Sequence, residues 1–253
     1  MHELIVPTAI FFCLVAAAVG ALLISERLPD RHRDDETHNV IRLAANIFVV
    51  TTSLVLGLML NSAKNTFEAV DHNVHVFATD LVLLDRSLRN YGQEATDVRK
   101  QLASYVRQAV AGTWPEQGTP VLDDRAAERL LDGVRAALLA IRPDDPVRFE
   151  LWREAHTNLQ NVVKGRWTLI EQSEGTIPTA LLIVVVAWLM LIFGSFGYRA
   201  PRNVVVVATY VVAAFLLSAA VYVILDMGRP FSGPIQISPE PMLRVEEQLR
   251  GEI

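Results

Sequence analysis

The sequence predicts an all-α polytopic membrane protein, with four transmembrane helices and a four-helix soluble bundle inserted between the second and third spans. Three observations carry that reading. Uncharged apolar blocks of membrane length occur four times, the segment between the second and third blocks opens on a strict 3.5-residue apolar repeat, and that segment shows no strand-like alternation. Composition agrees: of 253 residues 51% are hydrophobic and 20% charged, and the mean hydropathy is +0.29 despite 23 basic and 28 acidic side chains. Such a chain must gather its apolar residues into blocks.

The blocks are residues 4–24, 44–60, 177–196 and 204–225, of 21, 17, 20 and 22 residues. A hydrocarbon core of about 30 Å takes about 20 residues at 1.5 Å rise, so three blocks cross it outright and the second does once its flanks are added. The first reads as a retained span rather than a cleaved leader. Met1, His2 and Glu3 give no positive n-region, and the run exceeds the usual apolar stretch of about 7–15 residues. The chain thus divides into a first transmembrane pair (1–60, with a loop at 25–39), a helical bundle (61–176), a second pair (177–225) and a tail (226–253). The central 116 residues hold 14 Lys/Arg and 17 Asp/Glu, a water-soluble composition long enough for its own core.

In the first bundle helix Ala63, Phe67, Val70, Val74, Phe77, Leu81, Leu84, Leu88 and Tyr91 recur at alternating spacings of four and three, and Gly92 follows where a left-handed cap would stop it. The same alternation extends backward through Leu60, Leu56, Ser53, Val49, Asn46 and Arg42. No proline interrupts residues 40–91, which predicts one helix of about 50 residues running from the membrane into the bundle. Ala95, Val98, Leu102, Tyr105 and Ala109 then mark a second helix, ended by Gly112 and Pro115. Asp123 or Asp124 caps a third, holding Leu130, Val134, Ala137, Leu138 and Ile141 and stopping before Pro143. Asp145 is the N-cap of the fourth, with Pro146 at its first position and Leu151, Ala155, Leu159, Val162, Arg166 and Leu169 along one stripe.

A net charge of −5 with scattered basic residues argues against a nucleic-acid binder. Cys13, the single cysteine, lies in the first apolar block, forms no intrachain disulfide and reads as a small hydrophobe. Without a nucleotide loop, a hydrolase elbow or a CxxC pair, the chain reads as no enzyme and implies no cofactor. It also reads as having no metal centre. The nearest approach to one is Glu68, His72 and His75, at i, i+4 and i+7 on the long helix, a spacing shared with solvated helix faces and accompanied by no second ligand helix.

Arg42, Asn46 and Ser53 share one face of the second span, where polar groups face a bundle interior or an aqueous cavity. Two readings stay open: hydrogen bonding between helices, and a permeation path to which Arg42 attracts an anion. Arg199, Arg202 and Arg229 at span ends read as orientation and snorkelling. The fourth span ends at Asp226, followed by Arg229, Pro230, Phe231, Ser232, Gly233 and Pro234. That punctuation turns the chain against the bundle or the membrane surface, with Asp226 and Arg229 spaced for a local ion pair.

The transmembrane pair, the helical insert, a second pair opening on Ile177-Pro178 and ending at Leu225-Asp226, the run from Arg229 to Pro234, and the Tyr91-Gly92, Arg99, Tyr105 segment together resemble the bestrophin-like domain proteins of bacteria, over nearly the whole chain. The resemblance implies a multi-pass protein of the bacterial inner membrane, distantly similar to bestrophins, which are pentameric anion channels with a pore lined by the second span. It therefore implies a homo-oligomer in a lipid bilayer, with a small inorganic anion as partner. A recognisable bestrophin neck motif and acidic calcium clasp are missing, so no pore residue is carried over. Orientation reads two ways. Arg27, Arg31, Arg33, Arg199 and Arg202 place the two short loops in the cytoplasm and both termini outside, whereas the resemblance implies the reverse. The expected function is an oligomeric anion channel. The alternative is a non-conducting membrane sensor or scaffold, since the insert is larger than a minimal pore requires.

Overall fold

The computed structural model describes residues 4–24, 35–115, 120–121, 125–173, 178–198, 200–201 and 203–251. They form helices α1 (Ile5–Ile24), α2 (Asp35–Tyr91), α3 (Thr96–Thr113), α4 (Arg125–Ala140), α5 (Pro146–Ser173), α6 (Thr179–Gly197), α7 (Val204–Met227) and α8 (Glu240–Gly251), with one 3-10 turn at Gln93–Ala95. Four are long and apolar enough to cross a membrane: α1, α6, α7 and the part of α2 from Asn39 onward. The expected long helix is continuous, at 57 residues. The chain divides into two units, one of Met1–Asn65 with Thr176–Gly228 and one of Thr66–Gly175 with Arg229–Ile253, and α2 contributes to both.

In the first unit α1 lies against both α6 and α7. Ile10, Leu14 and Ala18 of α1 meet Val185, Leu189 and Phe193 of α6, Ala214, Val221 and Ile224 of α7, and Met59 and Ala63 of α2. Small residues let the helices approach closely, as membrane helices require in the absence of a hydrophobic drive. A Cβ added at Gly197 would sit 2.2 Å from the Ala18 carbonyl oxygen, so only glycine fits there. The buried Ser218 hydroxyl donates to the Pro7 carbonyl, which removes an unsatisfied group from the apolar interior. Cys13 is exposed on α1 rather than packed as a small hydrophobe, because the α1 contact stripe runs through Ile10, Leu14 and Ala18 instead.

In the second unit the predicted repeat is the core. Val70, Val74, Phe77, Leu81, Leu84, Leu88 and Tyr91 are buried, and each fully buried leucine contributes about 2 kcal/mol. Gly92, at φ 107°, stops the helix as its position predicts, because an L side chain is disfavoured there. Asp145 Oδ1 accepts from the Val147 and Arg148 amides at 2.8 and 2.9 Å, the expected N-cap. The proposed caps Asp123 and Asp124 lie outside the described residues. Trp152 ties α5 to α4 by donating its indole N–H to the Leu138 carbonyl at 2.9 Å.

The C-terminal segment packs on this unit and adds α8 to the four expected helices. Ile237, Met242, Val245 and Leu249 are buried in its core. Trp114 Nε1 donates to the Ile237 carbonyl at 2.8 Å, and its ring meets Phe231 edge to face at 5.6 Å. The Ile237 amide returns to the Pro230 carbonyl at 2.8 Å, and Gly233 takes φ 90°, so the Pro and Gly punctuation becomes a closed turn.

One buried charge cluster holds the end of α2. Asp85 is buried and accepts from Arg89 at 2.9 Å and from Arg99 of α3 at 2.8 Å. Arg148 lies 4.9 Å over the Tyr91 ring and pairs with Glu94 at 2.8 Å. Asp85→Asn should therefore cost about 3 kcal/mol, read from denaturant melts, because the buried carboxylate charge shared by Arg89 and Arg99 is lost. Gly197→Ala should destabilise the detergent-solubilised protein by about 1–3 kcal/mol, whereas Gly20→Ala, where the added Cβ meets nothing, should leave the thermal midpoint unchanged.

Candidate functional site

The second span places its polar residues by phase. Ala45, Thr52 and Met59 are buried at steps of seven, with Phe48 and Val55 half-buried between them, the same alternation of three and four as in the bundle, and Ala63 is buried next. The backward extension of the bundle repeat selects Leu60 and Ser53 instead. Met59 is 6% exposed and Leu60 44%, so the buried stripe passes through the neighbouring positions. The shift occurs at Ala63, where steps of four from Met59 and to Phe67 follow each other and break the strict alternation.

That shift leaves Arg42, Asn46 and Ser53 exposed on one face, outside the core of their own protomer. Ser53 donates its hydroxyl to the Val49 carbonyl at 2.8 Å, so it is satisfied within its own helix and bridges to no other. Arg42 and Asn46 come together with Ser195, Phe196 and Tyr198, at the end of α6, around an open groove of about 350 Å³. Ser53 lies further along the same face and is not part of that groove. Ser195 donates its hydroxyl to the Ile192 carbonyl at 2.7 Å, so the guanidinium and the side-chain amide are the groups at this groove that can attract a small anion.

The remaining sequence candidates are distributed differently. Asp226 is buried at the end of α7, Arg229 is exposed, and Pro230, Phe231 and Gly233 belong to the turn described above. Glu68, His72 and His75 are exposed on α2, and His75 Nδ1 lies 3.1 Å from the carbonyl of Asp71. Among the described residues no group of three His, Cys, Asp or Glu side chains could hold a metal ion.

Two features escaped the sequence reading. Thr52, 2% exposed, is the polar residue that faces the span's interior, and its hydroxyl has no hydrogen-bond partner. The sequence alternation assigns its neighbour Ser53 to that face. In the helical unit, Tyr105 of α3 and Arg166 of α5 line a small cavity and are joined by a side-chain hydrogen bond. The signal was present, since Arg166 occupies an otherwise apolar stripe, but its partner on another helix was not.

A family model for the Bestrophin-like domain matches residues 12–242. The chain belongs to the bestrophin-like family. This bestrophin-like fold is also similar to the crystal structure of a mutant bacterial bestrophin homolog from Klebsiella pneumoniae. The TM-score is 0.56 at 11% identity, covering 96% of this chain and 97% of that one. No curated protein matches the sequence. The family places this bestrophin-like chain among membrane proteins related to anion channels, in agreement with its four membrane-length helices.

Burial pushes the Tyr105 phenol up from 10.0 to about 12, against the opposing pull of Arg166. The folded state thus holds this proton more tightly than the unfolded chain does. The resulting stabilisation is complete below pH 10.0 and is lost as the pH rises to about 12. Denaturant melts across that window should show falling stability, and Tyr105→Phe should make the fall shallower.

Proposed function

We propose that the protein is an oligomeric anion channel of the bacterial inner membrane, in which the polar face of α2 from each copy lines the conducting path. The supporting observation is the exposure of Arg42, Asn46 and Ser53 beside a buried face of the same span. Exposed leucines and valines on α2 are at ease against lipid, which is as apolar as they are. An arginine and an asparagine are not, since charge within a bilayer costs about 3 kcal/mol even by the lenient scale. Further copies of the chain, closing around water, remove that cost.

Arg42 then stands where an anion first meets the span, and Asn46 offers the next donor. Ser53, already bonded to its own helix, contributes a small polar wall rather than a fixed donor. The helical unit between the second and third spans stands in water and carries the assembly contacts of the long helices.

Reconstituted into liposomes, the purified protein should pass chloride or a similar anion. Arg42→Gln should lower the preference for anions over cations several-fold, and Asn46→Leu should reduce the flux. No flux above empty liposomes, at any tested pH or calcium level, would overturn the proposal and favour a non-conducting sensor or scaffold.

A further inference from the structure

We propose that Asp80 of α2 pairs with His75 of α2 in a neighbouring copy, so that each long helix carries one half of the contact on either flank of its outer face. This pairing rests on the homo-oligomer proposed above, whose contacts in the helical unit it names.

Opposite its buried seam, α2 carries a second 3.5-residue stripe. His72, Val76, Thr79, Leu83, Arg86 and Asn90 alternate by four and three, and all are exposed. In a parallel assembly of identical helices such a stripe turns toward the common axis, and the positions beside it face the neighbours. The two flanks are chemically opposite, with His75 on one and Asp80 on the other. Val76 and Leu83, 43% and 42% exposed, lie between them and lose water as neighbouring helices close.

Asp80 lacks a partner among the described residues. Its flank faces α5, where Asn73 donates to Gln172 at 2.7 Å and Asn158 donates to Ser87 at 3.3 Å, one bond on each side of it. Neither reaches Asp80, which is half-buried with no hydrogen bond or ion pair and with no nearby charge to offset that burial. A carboxylate drawn partly out of water without a counter-charge is destabilising, and an incoming cation offsets the loss.

His75 is held as the other half. Its Nδ1 lies 3.1 Å from the Asp71 carbonyl oxygen, which only accepts, so Nδ1 carries the hydrogen and Nε2 is left to bind outward from an exposed ring. A proton on Nε2 then makes an imidazolium–carboxylate pair with Asp80 of the next copy. Positions 75 and 80 stand at the offset where the flank of one heptad meets the flank of the next on a parallel neighbour. Within one helix they lie on opposite sides of the stripe and cannot pair. Because every chain offers both halves, the contact is heterologous and repeats around a closed ring with each Asp80 partnered.

Cross-linking of full-length chains in a Cys13→Ala background tests the pair. One chain carries His75→Cys and the other Asp80→Cys, and the co-expressed protein is treated in detergent with a short bis-maleimide. Covalent dimers should form in the mixture and not with either variant alone. Asn90→Cys, about 15 Å along the helix from position 80, should link to Asp80→Cys less than a tenth as well. Independently, Asp80→Asn should raise the concentration at which the oligomer half-dissociates at least fivefold, and exchanging the two residues, His75→Asp with Asp80→His, should restore it. Dimers from single variants, equal linking through Asn90→Cys, or an exchange that fails to restore assembly would each overturn the pairing. A monomer by light scattering would overturn the homo-oligomer as well, whereas selective cross-linking without anion flux would support the pair and count against conduction alone.

Discussion

A 57-residue helix that is buried along one side has to keep its apolar residues in phase over about sixteen turns, and α2 does so with one period in two registers. From Ala63 to Tyr91 the buried positions recur every 3.5 residues, the period of helices that pack lengthwise in a bundle. From Ala45 to Met59 they recur at the same 3.5 residues, in a register offset by one residue. A 3.5 repeat drifts by about 20° per heptad from a straight helix, and the double step of four at Ala63 adds one residue that takes up part of that drift and joins the two registers. The position of that step decides which residues of the span are core and which are not.

Because the step falls where it does, Arg42, Asn46 and Ser53 are turned out of the protomer, and Thr52 is turned in. Exposure has a different meaning for each residue type in a span. Leu43, Ile47, Val50, Leu54 and Leu58 are all exposed, and hydrocarbon accepts them without penalty. The polar stripe has no such solvent in lipid. The fold therefore sets two faces of α2 side by side, one suited to lipid or a neighbouring helix and one suited to water.

Local chemistry was legible in the sequence. The Asp145 cap, the Gly92 stop and the buried repeat from Val70 to Tyr91 each depend on residues within a few turns of one another, and each stands as read. What failed was extrapolation. Carrying a strict alternation backward through Ala63 takes a step of three where the helix takes four, and so chooses Leu60 over Met59. Long-range packing was also hidden. The tail was expected to turn, but where it lands is set by residues more than a hundred positions away, such as the Trp114 indole. Ser195 and Tyr198 join the Arg42 groove from the end of α6, a juxtaposition that no spacing announces.

The phase of α2 can be read by cysteine accessibility in a Cys13→Ala background. Asn46→Cys, Ser53→Cys, Ile47→Cys and Leu54→Cys would each be treated from water with a charged thiol reagent, while flux through reconstituted protein is recorded. Modification and block at positions 46 and 53, with positions 47 and 54 unreactive, is the expected pattern. Reactivity at 47 and 54 instead, or no difference between the two pairs, would contradict the water-facing stripe and the channel reading built on it.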